Sequence, residues 1–184
     1  MLILFACAAC KPKEQTQKEV VADSVNSVVD SSMADTTKAK ILSFNHIDET
    51  RDKLSAIGIG KMSEWKEDTT GGFTSMTPEF ELGEKKLNNI AFVLEGFNKN
   101  YINSFQIILK VGDPKEQRQG IAKLKDIATK AFETLDIQMP SMLPNAILNG
   151  KAVNVDGVDY GTSLKIDSAK VETWTVRVTT RTLP

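Results

Sequence analysis

Between Asn88 and Val111 the chain alternates. Ile90, Phe92 and Leu94 fall on one side; after Asn98-Lys99-Asn100, Phe105, Ile107, Leu109 and Val111 fall on one side again. A period of two sends successive side chains to opposite faces of a strand. The spacing therefore predicts two strands, Asn88–Glu95 and Tyr101–Val111, paired as a hairpin with one buried face. The opposite face carries Asn89, Glu95, Ser104, Gln106 and Lys110, softened by Val93 and Ile108.

The same pattern returns at the end of the chain. Asp156-Gly157 is a strong two-residue turn signal, predicted to join 152–155 to 158–166, where Tyr160, Thr162, Leu164 and Ile166 share a face. A last strand is expected over 172–181. Trp174, Val176 and Val178 lie on one side of it, and Thr173, Thr175, Arg177, Thr179 and Arg181 on the other. An earlier hairpin is expected from Lys61–Asp68 and Phe73–Thr77 around Thr69-Thr70-Gly71-Gly72, stopped by Pro78.

Three helices separate these strands. His46–Ile57 is short, with Asn45 or Asp48 as its cap and Gly58 as its stop. Asp113-Pro114 opens the longest, to about Leu135, with Ile121, Leu124, Ala128, Ala131, Phe132 and Leu135 as its apolar stripe. Ser141–Leu148 is the third, ended by Gly150. Hairpins without strand–helix–strand alternation predict an α+β domain. The expected architecture is an antiparallel sheet of about six to seven strands, with one long and two short helices on one face.

This domain is expected to occupy residues 41–184. Residues 11–40 lack aromatics and glycine and are rich in Ser, Thr, Asp, Lys and Val. They read as a flexible tether, with an r.m.s. reach of roughly 30 Å. Residues 1–10, MLILFACAAC, are apolar, and the chain turns polar directly after them. The run is far too short to span a bilayer.

An apolar stretch ending in small residues and cysteine resembles a bacterial lipoprotein signal. Cys7-Ala8-Ala9-Cys10 matches the small residues of the lipobox, and Leu4-Phe5-Ala6-Cys7 matches its first and third positions. Cys10 is the favoured anchor, with Cys7 as the alternative, because the polar segment begins at Lys11. No Lys or Arg precedes the apolar run, which points to a start set late or to a missing upstream part. The resemblance implies diacylglyceryl attachment to the thiol and acylation of the new N-terminus. Two or more chains anchor stably where one does not. It places the protein in the bacterial cell envelope, with the membrane as partner through the lipid and the domain facing the periplasm.

The chemistry-bearing residues are sparse. The 184 residues hold 23 Lys plus Arg against 24 Asp plus Glu, a net charge of −1, which speaks against a nucleic-acid partner bound through phosphates. The one histidine, His46, excludes any site that needs two, and the two cysteines sit in the leader, so no metal site and no cofactor are expected. Gly58-Ile59-Gly60-Lys61-Met62 lacks the earlier glycine and the Ser or Thr of a phosphate loop. A serine triad would have to use His46, and no G-x-S-x-G elbow exists. Glu79, Glu81, Glu95 and Asp159 are available for paired-carboxylate work, but the sequence singles out no pair.

The remaining feature is the polar face of the sheet. Lys110, Lys165, Arg177 and Arg181, with Gln106, Thr175 and Thr179, line it if their strands are neighbours. Such a face is either simply solvated or a mildly cationic docking surface for an envelope protein or small anionic ligand. Trp65 and Phe73 are either an aromatic anchor beside it or core. The favoured function is a non-catalytic binding module. The alternatives are a carboxylate-dependent envelope hydrolase and an inhibitor or immunity lipoprotein.

Overall fold

A computed structural model describes residues 38–182. The expected leader with Cys7 and Cys10, and residues 11–37 of the expected tether, lie outside the described residues.

The protein is an α+β fold with an antiparallel sheet. In chain order its strands are β1 (Lys66–Glu67), β2 (Phe73–Met76), β3 (Phe80–Leu82), β4 (Asn88–Gly96), β5 (Ser104–Val111), β6 (Val153–Asp156), β7 (Tyr160–Asp167) and β8 (Glu172–Thr180). They are ordered β1-β2-β4-β5-β8-β7-β6, and β3 pairs with the other end of the β4 edge that holds β2. The alternation dictates the register. Ile90 pairs with Leu109, Phe92 with Ile107 and Leu94 with Phe105, and these meet Trp174, Val176 and Val178 across β5 and β8. All nine side chains are buried.

The helices α1 (Ile47–Ser55), α2 (Gln117–Thr134) and α3 (Leu143–Leu148) belong to that apolar side. Helix α2 buries Leu124, Ile127, Ala128, Ala131 and Phe132 over β4 and β5. Gly120 lets it ride close, because a Cβ there would stand 3.3 Å from Leu109 Cδ1. Asp113 caps the entry as expected, its Oδ1 accepting from Lys115 N at 3.0 Å, but the first turn, Pro114–Glu116, is a 3-10 turn.

Helices α2 and α3 end alike. Ile137 N donates to Phe132 O and Asp136 N to Glu133 O; Lys151 N donates to Ala146 O and Gly150 N to Ile147 O. This is the Schellman closure, which puts the residue after the C-cap in the left-handed region. Gly150 fills that place at φ +61°, and Asp136 fills it at φ +54°.

Three local expectations change. Neither Asn45 nor Asp48 caps α1; its N-cap is His46, without a side-chain bond. The Asn45 amide is spent on the backbone of Ala39, accepting from its N at 2.8 Å and donating to its O at 2.9 Å. The strand expected from Lys61 shrinks to Lys66–Glu67, because Ser63 O is taken by Arg51 Nε and Ser75 Oγ and Met62 turns into the core. The strand expected from Tyr101 starts at Ser104, since Ile102 N donates to Phe44 O instead. Among the described residues the short β3 brings the strand count to eight. Packing reaches back to Ala39, which is fully buried and bridged to Thr182, while Lys40 N donates to Arg181 O.

Candidate functional site

The second face of the sheet follows from the same registers. Thr74, Glu95, Ser104, Thr179 and Gly161 form one row across β2, β4, β5, β8 and β7. Met76, Val93, Gln106, Arg177 and Ser163 form the next, and Ala91, Ile108, Thr175 and Lys165 the third. The neighbours that the sequence required for a polar face are in place. Among the described residues, no helix lies over it.

Of the four expected docking residues, Lys110, Lys165 and Arg177 stand on this face. Arg181 lies just past the end of β8, exposed, with its backbone bound to Lys40 N and Asp159 O. The charges are largely matched. Arg177 pairs with Glu95 at 2.7 Å, and Lys110 is in close contact with Glu79. Among the described residues, Lys165 and Arg181 form no ion pair.

At the Arg177 end the face dips into a cleft of about 380 Å³. Arg177 Nη2 donates to Glu95 Oε2 and, at 3.0 Å, to Ser104 Oγ; Ser104 Oγ in turn donates to Glu95 Oε2 at 2.9 Å. The facing wall is the turn after β1. There Asp68 Oδ1 accepts from Thr70 N, Thr70 Oγ1 and Gly72 N at 2.7, 2.7 and 3.1 Å. The Thr70 hydroxyl and the backbone donors hold the Asp68 carboxyl below the usual aspartate range. The rim is Phe97, which is 80% exposed, its backbone N held by Asn103 Oδ1 at 2.9 Å. The turn is the expected hairpin turn at Thr69-Thr70-Gly71-Gly72, but neither it nor Phe97 was expected to line a site. Phe97 follows the alternation of β4 by one step, and that step was the available signal.

Trp65 and Phe73, the expected aromatic anchor or core, stack on each other, with centroids 6.0 Å apart. The Trp65 ring lies against the β4 backbone, where a Cβ on Gly96 would come within 2.7 Å of it. Both rings are half-buried.

A second cleft, about 560 Å³, lies where residues 40–43 enter the domain. His46, Glu49, Lys53, Asp136, Asp159 and Tyr160 line it. Lys53 bonds Glu49 at 2.7 Å and holds its carboxyl below the usual range. Burial pushes the Tyr160 hydroxyl up, with help from Asp159, and that hydroxyl donates to Gln138 O at 2.5 Å. Of the carboxylates open to catalysis by sequence, Glu79 faces Lys110, Glu81 faces Lys86, Glu95 faces Arg177 and Asp159 faces Lys40.

Among the described residues, no three of His, Cys, Asp and Glu converge to hold a metal ion, and no helix is long and apolar enough to cross a membrane. Compared with known protein families, curated proteins and solved structures, the chain finds no match.

Proposed function

We propose that the protein is a lipid-anchored bacterial envelope protein, acylated at Cys10, whose domain is a non-catalytic binding module. The anchor rests on the leader pattern ending in Cys7-Ala8-Ala9-Cys10 and on the polar stretch after it. The binding role rests on one observation: among the described residues the helices belong to one side of the sheet, which leaves Glu95 and Arg177, on neighbouring rows, open on the other. The domain packs its described helices on the core side and keeps a hydrogen-bonding surface with largely matched charges free for a partner held nearby by the lipid. Matched charges suit orientation and specificity more than raw affinity.

Two measurements test this reading. Mass spectrometry of the chain extracted from membranes should find acyl mass on Cys10; unmodified Cys10 and Cys7 would sink the anchor. A photoreactive residue at position 175, on the open face, should give a discrete cross-linked adduct in intact cells. The same residue at position 130, exposed on α2, should give none. Equal labelling from both sides, or no adduct from position 175, removes the open face as the binding surface.

A further inference from the structure

We propose that the cleft between the Asp68 turn and Phe97 is a binding site for a neutral, hydroxyl-rich glycan. The proposal rests on the open face being a binding surface, and it names the ligand class that face takes.

Charge decides the class first. Asp68, Glu95 and Arg177 line the cleft, so two carboxylates meet one guanidinium, and that guanidinium is already paired at 2.7 Å. An anion would meet net negative charge. A cation would find Glu95 engaged by Arg177, and the Asp68 carboxylate oxygen Oδ1 saturated by its own turn.

Hydrogen-bonding capacity points to hydroxyls. Arg177 spends Nη2 on Glu95 and Ser104. A guanidinium carries five N–H donors in a fixed fork, so its Nε and Nη1 donors remain. Glu95 spends only Oε2, on Arg177 and Ser104, so Oε1 remains as an acceptor. A donor edge and an acceptor oxygen thus stand side by side. Neighbouring hydroxyls on a sugar ring, each both donor and acceptor, answer that pairing.

Phe97 supplies the other half. An aromatic ring 80% exposed at the rim of a polar cleft offers the flat apolar face on which the C–H side of a pyranose stacks. The walls are set in advance. Three hydrogen bonds hold the Asp68 turn, and Asn103 holds the Phe97 backbone. A preformed site wastes little binding energy on ordering itself. The volume, about 380 Å³, lies at the small end of ligand pockets and suits a short stretch of sugar rather than a large ligand.

The test uses the full chain in detergent, with chitotetraose and maltotetraose as probes, followed by NMR. At least one probe should bind saturably with Kd below about 1 mM, with shifts at Thr74, Glu95, Phe97 and Ser104. Phe97→Ala and Arg177→Lys should each weaken binding about tenfold or more, and Lys110→Ala should not. Phe97 is exposed, so an unchanged denaturation midpoint separates lost binding from lost fold. Binding of neither probe, or binding indifferent to both variants, overturns the glycan site. Cross-linking from position 175 judges the open face separately, so a surviving adduct with no sugar binding would leave that surface with a different partner.

Discussion

Asp136 sits where a helix normally hands over to glycine, and that placement gives a sharp stability experiment. Helices α2 and α3 close with the same pair of backbone hydrogen bonds, yet the left-handed residue is Gly150 in one and Asp136 in the other. A residue with a Cβ pays about 1–2 kcal/mol for this conformation, less for Asp than for most. Glycine is free of that cost but loses about 0.5–1 kcal/mol more backbone entropy on folding. A carboxylate beside a helix C-terminus opposes the dipole by about 0.3–1 kcal/mol. Asp136 is exposed and has no ion pair among the described residues to offset this. Relief of strain and charge, less the glycine entropy, leaves Asp136→Gly more stable by about 1 kcal/mol. Asp136→Asn removes the charge alone and should gain about 0.3–0.5 kcal/mol. Asp136→Ala also removes the charge, but alanine tolerates the left-handed region worse than aspartate does, so the two effects offset and it should gain nothing. Urea denaturation at constant m should move the midpoint up by about 0.5 M for the glycine variant. If the alanine variant is as stable as the glycine variant, the left-handed conformation is not what limits this helix end, and the reasoning fails.

Gly96→Ala should cost about 1–3 kcal/mol, because the new Cβ would stand 2.7 Å from both the Trp65 ring and Tyr101 O, and the latter is backbone that cannot step aside; an unchanged denaturation midpoint would contradict the packing. Leu109→Ala, under α2 at Gly120, should cost about 2–5 kcal/mol, and a loss below 1 kcal/mol would mean α2 collapses onto β5. Asp68, through Thr70, and Asp113, through Lys115 N and Lys85, both have carboxyls held below the usual aspartate range. A depressed native value stabilises the fold above the unfolded value of about 3.9 and is lost as pH falls through the lower native one. Carboxyl NMR should find both titrating below ordinary aspartates; titration at or above the ordinary value in either would break the linkage.

The parts of the fold that repeat a period were open to reading. The run Ile90, Phe92, Leu94 and the run Trp174, Val176, Val178 each declare a buried face, and Asp113-Pro114 declares a helix start. What alternation does not carry is partner choice. That β8 inserts between β5 and β7 is a pairing of residues 104–111 with 172–180, and only this register sets Arg177 beside Ser104 and Glu95. The cleft draws on residues 68–74, 95–97, 103–104 and 177, four stretches with no shared pattern. The three-residue β3 escaped because its pairing spans only Asn88–Ile90, too short for a period to show. The Asn45 amide misled because capping is the commoner use of asparagine before a helix, and here Ala39 outbid the helix for it.

That choice by Asn45 has a mechanical side. Ala39 is bridged to Thr182, Lys40 N holds Arg181 O, and Ile41 N holds Thr180 Oγ1, so the incoming chain is fastened to the end of β8. Strand β8 is interior, paired on both sides by β5 and β7. A pull along the chain ahead of Lys38 is therefore met by a seam in the middle of the sheet. The exposed edges β1 and β6, the strands easiest to peel, carry none of that load. A load entering there would reach the sheet at an interior strand rather than at an edge.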